Sequence, residues 1–316
     1  MEKRYIIGYD IGGTKCAVSL GKTTAEAIEI SDRLEVPTTK DPKATLSAFD
    51  AHTKQLIESY PISAIGISCG GPLDDQGGEI LTTANLPGWH HFKIAPYLSE
   101  KFGLPAFLKN DADACALAEW KYGAGRGCKN MIFVTAGTGL GAGLILGGRL
   151  YSGTNGNAGE VGHVRLAKEG PVGFGKAGSF EGFCSGGGIS RLALQMASSL
   201  PALPDCIKEM GDAVTTKELA RYAHAGDEFA KSVFSASGEK LGQGLSILID
   251  ILNPERIVLG GVFMRSGDLL IPSMEKVLKE ECIGFSLDVC KIFPAALREN
   301  IGDYAAVIVG LYGLSE

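Results

Sequence analysis

Leu104–Trp120 reads LPAFLKNDADACALAEW, and the fold turns on how its centre is understood. Pro105–Leu108 is short, apolar and aromatic, which suits a buried strand. From Asp111 the residues Ala112, Ala114, Cys115, Ala116 and Ala118 favour or tolerate helix, and no Gly or Pro interrupts them before Gly123. Asn110 or Asp111 is therefore a natural N-cap, its side-chain oxygen accepting an orphan backbone N–H. Capping alone would explain the pair. A carboxylate at the carboxyl end of a strand also stands where α/β proteins keep their ligands, and it can serve there as a general base towards a hydroxyl. The rest of the chain decides between the two.

Length and composition narrow the field. The 316 residues suit two domains of ordinary size. Apolar content of 45% with 21% charged residues is that of a soluble globular protein. A net charge of -6 argues against a surface built for nucleic acid. The 44 glycines fall largely in pairs, as at Gly12-Gly13, Gly70-Gly71 and Gly260-Gly261, which suggests several ligand-facing turns. Eight cysteines lack any CxxC spacing and several sit in apolar runs, the pattern of reduced thiols in a cytoplasmic protein. Asp10 interrupts the only apolar stretch near the amino terminus, so no signal peptide is expected, and no run is long enough for a membrane span.

Tyr5–Tyr9 reads as a strand, Gly12-Gly13 as a tight turn and Lys15–Leu20 as the returning strand. A plain hairpin leaves unexplained why Asp10 is followed by Gly-Gly-Thr-Lys; backbone N–H groups and a hydroxyl at such a turn can hold phosphate. The spacing is not that of a Walker A loop. A strand near 27–37, a helix near 42–59 and a strand at 64–68 running into Cys69-Gly70-Gly71-Pro72 follow, with Trp89 expected as packing and a short helix at 92–102. Asn130–Ala136 is an apolar strand ending in Gly137-Thr138-Gly139-Leu140-Gly141-Ala142-Gly143. Gly137, Gly139 and Ala142 match a dinucleotide fingerprint, but that fingerprint needs a helix next, and residues 143–151 read as a strand and hairpin. This second Gly turn repeats the design of the first. Glu160 and His163 then lie three apart among glycines, poor core material with directional hydrogen bonds to offer hydroxyls, and Glu181 follows at a helix start. Helices are expected over 189–206, 216–251, 272–281 and 303–314, with strands at 256–262, ending in Gly260-Gly261, and 289–293.

In order, DIGGTK at 10–15, the Asn110-Asp111 pair, GTGLGAG at 137–143, GEVGH at 159–163 and the late strand with Gly260-Gly261 resemble the ROK family of bacterial sugar kinases and regulators, across essentially the whole chain. The resemblance implies an α/β, two-domain actin/hexokinase-like ATPase fold, with RNase H-like domains flanking a cleft. Residues 1–115 with 301–316 would form the smaller domain and 116–300 the larger. It implies an ATP-dependent kinase acting on the 6-hydroxyl of a hexose, glucose first, with Mg²⁺ arriving on ATP. Asp111 would be the base; Asn110, Glu160, His163 and Glu181 would bind the other sugar hydroxyls. Asp10, Gly12, Gly13, Thr14 and Lys15 would meet phosphate and Mg²⁺, Gly137, Thr138 and Gly139 the other phosphates, and Gly260-Gly261 the adenosine. Other hexoses or N-acetylhexosamines (N-acetylmannosamine, N-acetylglucosamine, allose, fructose) and a non-catalytic sugar-sensing regulator are the alternatives. Regulators of the family carry a winged helix-turn-helix ahead of the first motif, for which Asp10 leaves no room. No nucleic-acid or membrane partner is expected, and a homo-oligomer, a dimer first, is.

One segment departs from the family. Where relatives carry a CxCGxxGCxE zinc segment, this chain reads VGFGKAGSFE over Val172–Glu181, with Val172, Phe174 and Ser179 at the thiolate positions. Zinc asks for three or four N/S ligands. The expectation is no structural zinc, packing by Val172 and Phe174 in its place, and another partner for His163, whose counterpart also binds that metal.

Overall fold

Strand β1 (Arg4–Ile11) runs antiparallel to β2 (Lys15–Thr23), which pairs in turn with β3 (Ile28–Pro37). The coordinates are a computed structural model that describes residues 3–83, 85–211, 213–298 and 301–315. Helices α1 (Pro42–Ser47) and α2 (Asp50–Ser59) replace the single helix expected over 42–59, because Phe49 turns fully into the core at the junction. Strand β4 (Ile62–Cys69) lies parallel to β1; β5 (Leu73–Asp74) and β6 (Glu79–Ile80) form a small hairpin. After α3 (Ile94–Phe102), β7 (Ala106–Asn110) lies parallel to β4 and leads directly into α4 (Asp111–Tyr122). The sheet order is β3-β2-β1-β4-β7. Trp89 is fully buried in its core cluster and donates from Nε1 to the Thr39 carbonyl at 2.8 Å, as its packing role required.

A second five-stranded sheet has the order β10-β9-β8-β13-β14. Its strands are β8 (Met131–Ala136), β9 (Leu140–Leu146), β10 (Arg149–Leu150), β13 (Arg256–Leu259) and β14 (Lys291–Pro294). A strand does follow the Gly137–Gly139 turn, which removes the dinucleotide reading. Between β10 and β13 come the hairpin β11 (Val172–Gly173) and β12 (Lys176–Ala177), then α5 (Phe180–Cys184), α6 (Gly186–Ser198), α7 (Asp205–Met210), α8 (Thr216–His224) and α9 (Glu228–Leu252). The helix expected over 189–206 is thus split into α6 and α7 around Pro201 and Pro204, and that over 216–251 is split where Asp227 caps α9 by accepting from the Ala230 N–H at 2.8 Å. Helix α10 (Val262–Glu281) starts ten residues before the expected 272 and contains Pro272. It survives the proline because its apolar face closes on α9, where Gly238 and Gly242 admit the backbone carbonyls of Leu270 and Met274. Helix α11 (Gly284–Val289) takes the start of the strand expected at 289, and α12 (Ile301–Gly313) ends the regular structure.

The chain divides into two compact units. The first comprises Met1–Gly127, Gly143–Ala158 and Ala296–Glu316, the second Cys128–Ala142 and Gly159–Ala295. Residues 116–127, 143–158 and 296–298 fall within the stretch expected in the larger domain but belong to the first unit: α4 runs on to Tyr122, Gly143 packs directly on that helix, and the Ala296 and Leu297 N–H groups donate to its Glu119. The outermost expected bounds, residues 1–2, 299–300 and 316, lie outside the described residues. Helix α12 lies on the first sheet so closely that a Cβ on Gly8 would stand 2.9 Å from the Val307 nitrogen. Its Ala305–Val309 run is buried throughout, which is worth about 1 kcal/mol or more per large side chain. Among the described residues no helix is long and apolar enough to cross a membrane. All eight cysteines are free, and burial raises every thiol above its ordinary pKa.

Candidate functional site

In the first unit, strand register levels the carboxyl ends of three strands: Ile11 pairs with Cys69, and Cys69 with Asn110. Asp10 and Asp111 therefore emerge at one edge of the sheet. Asn110 is the N-cap of α4, its Oδ1 accepting from the Ala112 N–H at 2.9 Å; Asp111 Oδ1 shares that donor at 2.8 Å. Capping and chemistry thus coexist. The Asp111 side chain is reachable by solvent, yet enough protein surrounds it that burial holds its carboxyl above the usual range, opposed by backbone N–H groups. Asp10 is pushed up to about 6 by burial, then by the charges of Asp303 and Asp111, against Arg33 and Lys15. Asp303 itself accepts from Ser19 Oγ at 2.7 Å and from Arg33 Nε at 3.0 Å.

The turn after β1 is partly committed. The Gly12 N–H donates to the Lys15 carbonyl at 3.1 Å, and Lys15 Nζ pairs with Glu35 at 3.0 Å. Gly13 and Thr14 remain exposed at the tip. A further carboxyl that sequence reading passed over is Asp113, 3% exposed and raised to about 7 chiefly by burial. Its Oδ2 accepts from Ser152 Oγ at 3.3 Å, and its Oδ1 has no hydrogen-bond partner among the described residues. Its alternation with Asp111 was visible in NDADA, but not its burial.

In the second unit, Glu160 is exposed and His163 half-buried, joined by the short 3-10 turn Val161–His163. Glu181 lies in the first turn of α5, a helix capped by Ser179, and its Oε2 accepts from the Leu140 N–H at 3.0 Å, next to Gly139. Glu181 is thus tied to the Gly137–Gly139 turn. The Val172–Glu181 segment overturns the expectation of apolar packing: Val172 is 48% and Phe174 65% exposed. Phe174 and Gly175 both take positive φ, 42° and 76°, as a two-residue hairpin between β11 and β12 requires, so Phe174 is held at the tip rather than turned inward. Backbone and cation contacts hold the segment instead. Arg165 Nη1 donates to the Ala177 carbonyl at 2.7 Å, Lys176 Nζ to the His163 carbonyl at 2.6 Å, and Ser179 is fully buried. Phe174 does meet the His163 ring, edge to face at 5.0 Å, and supplies the partner that residue needed.

A cavity of about 1080 Å³ opens in the same unit beside Gly137 and Thr138. It was not foreseen as a whole: Gly186, Gly187, Ser190, Thr215, Thr216, Lys217, Arg221, His224 and Arg265 line it, with Val262 and Ser266 from α10. The Gly186 N–H donates to the Gly137 carbonyl at 2.9 Å, and Thr216 Oγ1 to the Gly186 carbonyl at 2.5 Å, so turn and helix starts form one wall. Gly260 and Gly261 stand one step outside the lining. Gly261, at φ 66°, lets the chain leave β13 into α10, whose first residues face the cavity. Hydroxyls, glycine backbone and cations suit a phosphorylated ligand of nucleotide size.

A model of the ROK family matches residues 6–309. A glucokinase from Halalkalibacterium halodurans is 34% identical over 96% of this chain and 93% of its own. A xylose repressor from Caldicellulosiruptor bescii is 25% identical over 98% of this chain and 80% of its own. Among solved structures, a ROK family glucokinase from Streptomyces griseus in complex with glucose and AMPPNP superposes with a TM-score of 0.79 at 29% identity, covering 98% of this chain and 100% of that one. The order of sheets, the paired Gly turns and a family match across nearly the whole length agree: the chain belongs to the ROK family.

Proposed function

We propose that this protein is an ATP-dependent hexose kinase that phosphorylates the 6-hydroxyl of a hexose, glucose first. The observation that carries it is Asp111, a carboxylate reachable by solvent at the start of α4 and in one strand-end row with Asp10. Burial raises its pKa, which strengthens it as a proton acceptor, while backbone N–H groups and the positive end of the helix favour the ionised form that takes a hydroxyl proton. Its proton acceptance, orientation of the sugar by Asn110, Glu160, His163 and Glu181, and phosphate binding at the two Gly turns are the parts phosphoryl transfer asks of a protein. The 34% identity to a glucokinase over 96% of the chain supports glucose among the hexoses.

Asp10 fits the Mg²⁺ that accompanies ATP: its carboxyl is crowded by Asp303 and Asp111, and a cation there relieves that repulsion. The ion would offset negative charge on the transferring phosphate. The cavity beside Gly137 and Thr138 would take the nucleotide, with Lys217 and Arg265 towards its phosphates. A homodimer in the cytoplasm is part of the same reading.

A sugar-sensing regulator is the second reading, favoured by the similarity to a xylose repressor over 98% of this chain. ADP release with ATP·Mg²⁺ across a panel of hexoses and N-acetylhexosamines separates the two. One sugar driving turnover establishes the kinase and names the substrate; sugars that bind without turnover sink it.

A further inference from the structure

The chain passes between its two units at four points: 127/128, 142/143, 158/159 and 295/296. On the first unit's side, every one of them is fastened to α4. The most demanding fastening is Glu119, a glutamate with no exposed surface. Its Oε2 accepts from the Ala124 N–H at 2.7 Å and the Ala296 N–H at 3.1 Å, and its Oε1 from the Leu297 N–H at 2.8 Å. One carboxylate thus holds the chain just before the first crossing and just after the last. Gly123 leaves the space, since a Cβ there would collide with Oε2. At the second crossing Gly143 rests on the Ala112 carbonyl and the Ala116 methyl. At the third, the Ala158 N–H donates to the Ser152 carbonyl at 3.0 Å while Ser152 Oγ donates to Asp113.

We propose that Glu119 is a positioning residue for the reaction: it locks two crossing segments to α4 and, through that helix, sets where the base Asp111 stands relative to them. This rests on the kinase reading above. The two residues are eight apart on one helix, about 12 Å along its axis, so the clamp and the base move as one rigid element. Three N–H donors converge on both oxygens, and only an acceptor-only head satisfies them all. A glutamine offers a single acceptor oxygen and turns its N–H₂ towards at least one backbone N–H. An aspartate is one methylene too short for the same span.

The test compares Glu119→Gln with Leu56→Ala, a core truncation outside α4, at matched loss of thermal midpoint. Trypsin cleavage after Arg126, Lys129 and Arg298, mapped by mass spectrometry, reads the crossings without any assay of activity. Steady-state kinetics with ATP·Mg²⁺ and the hexose panel reads the reaction. Glu119→Gln is expected to be cut roughly 10-fold faster than Leu56→Ala and to lose kcat by about 10²-fold, with a smaller change in sugar KM, because misplacement of the base costs rate before binding. Equal cleavage overturns the proposal, and so does faster cleavage with native kcat. Should the native chain turn over no sugar, the kinase reading alone fails, and the tryptic pattern still decides whether Glu119 holds the crossings. Should Glu119→Gln not fold, Gly123→Ala, whose methyl presses on the carboxylate, carries the same comparison.

Discussion

The two five-stranded sheets share a plan and differ in what they hold at their ends. The first gathers carboxyls: Asp10 raised to about 6, Asp111 raised, and Asp113 raised to about 7. The second gathers glycine backbone, hydroxyls and cations around one cavity, with Lys217, Arg221, His224 and Arg265 on its wall. On the proposed function, the first unit would accept a proton and attract a cation, and the second would hold anions. Phosphoryl transfer onto a hydroxyl asks for both, and gathering carboxyls together has a cost, since the charges of Asp303 and Asp111 help raise Asp10.

The sharpest way to break this contrast is Asp111→Asn. It should lower kcat by about 10³-fold with the ATP KM near native, since general-base catalysis contributes about 10²–10⁴. The base must be ionised, so activity rises with pH, and the raised carboxyls place that acid limb above the ordinary carboxylate range. Rate profiles from pH 4 to 8 measure it; native turnover in the variant would remove the base from the first sheet.

Asp113→Asn should act on stability instead. A carboxyl raised to about 7 stabilises fully below its unfolded pKa near 4, and that contribution is lost as pH rises to about 7. The variant should therefore match the native thermal midpoint near pH 4 and exceed it by an amount equivalent to about 1–3 kcal/mol at pH 8. A midpoint difference that does not change with pH would show that the Asp113 carboxyl titrates alike in the folded and unfolded chain. In the second unit, Lys217→Ala should raise the ATP KM about 10-fold and leave sugar KM alone, as expected for one cation against phosphate. Equal effects on both substrates would blur the division of labour. Smallest of all, Phe174→Ala should raise sugar KM a few-fold by freeing the His163 ring, about 0.5–1.5 kcal/mol for an aromatic pair. Because Phe174 is 65% exposed, its thermal midpoint should scarcely move.

What could be read in advance was whatever local pattern decides. The β1–β2 hairpin, the strand into Asn110 with its capped helix, and the second Gly turn followed by a strand all follow from short-range periodicity and turn chemistry. Pro272 misled because the helix containing it is stabilised by a partner some 30 residues earlier in the chain, α9, which no window of sequence contains. Phe174 misled in the other direction: an aromatic was expected inside, but the left-handed turn at its own position points it outward. The cavity residues Thr215, Thr216, Lys217 and Arg265 come from two separate helices and carry no spacing signature, so only folding brings them together. Glu119 and Asp113 carry no local pattern that tells them from surface charges on a helix; their burial comes from segments far along the chain.

The eight free thiols, six of them buried, have a practical consequence for anyone wishing to watch this protein work. Only thiolate attacks a maleimide, and every native cysteine is held towards its protonated form. A Phe285→Cys change, at a position 87% exposed in the second unit, and a Lys43→Cys change on the surface of the first would react well ahead of them near neutral pH. Dyes at those two points would turn the molecule into its own optical ruler, with the wild-type cysteine complement left in place.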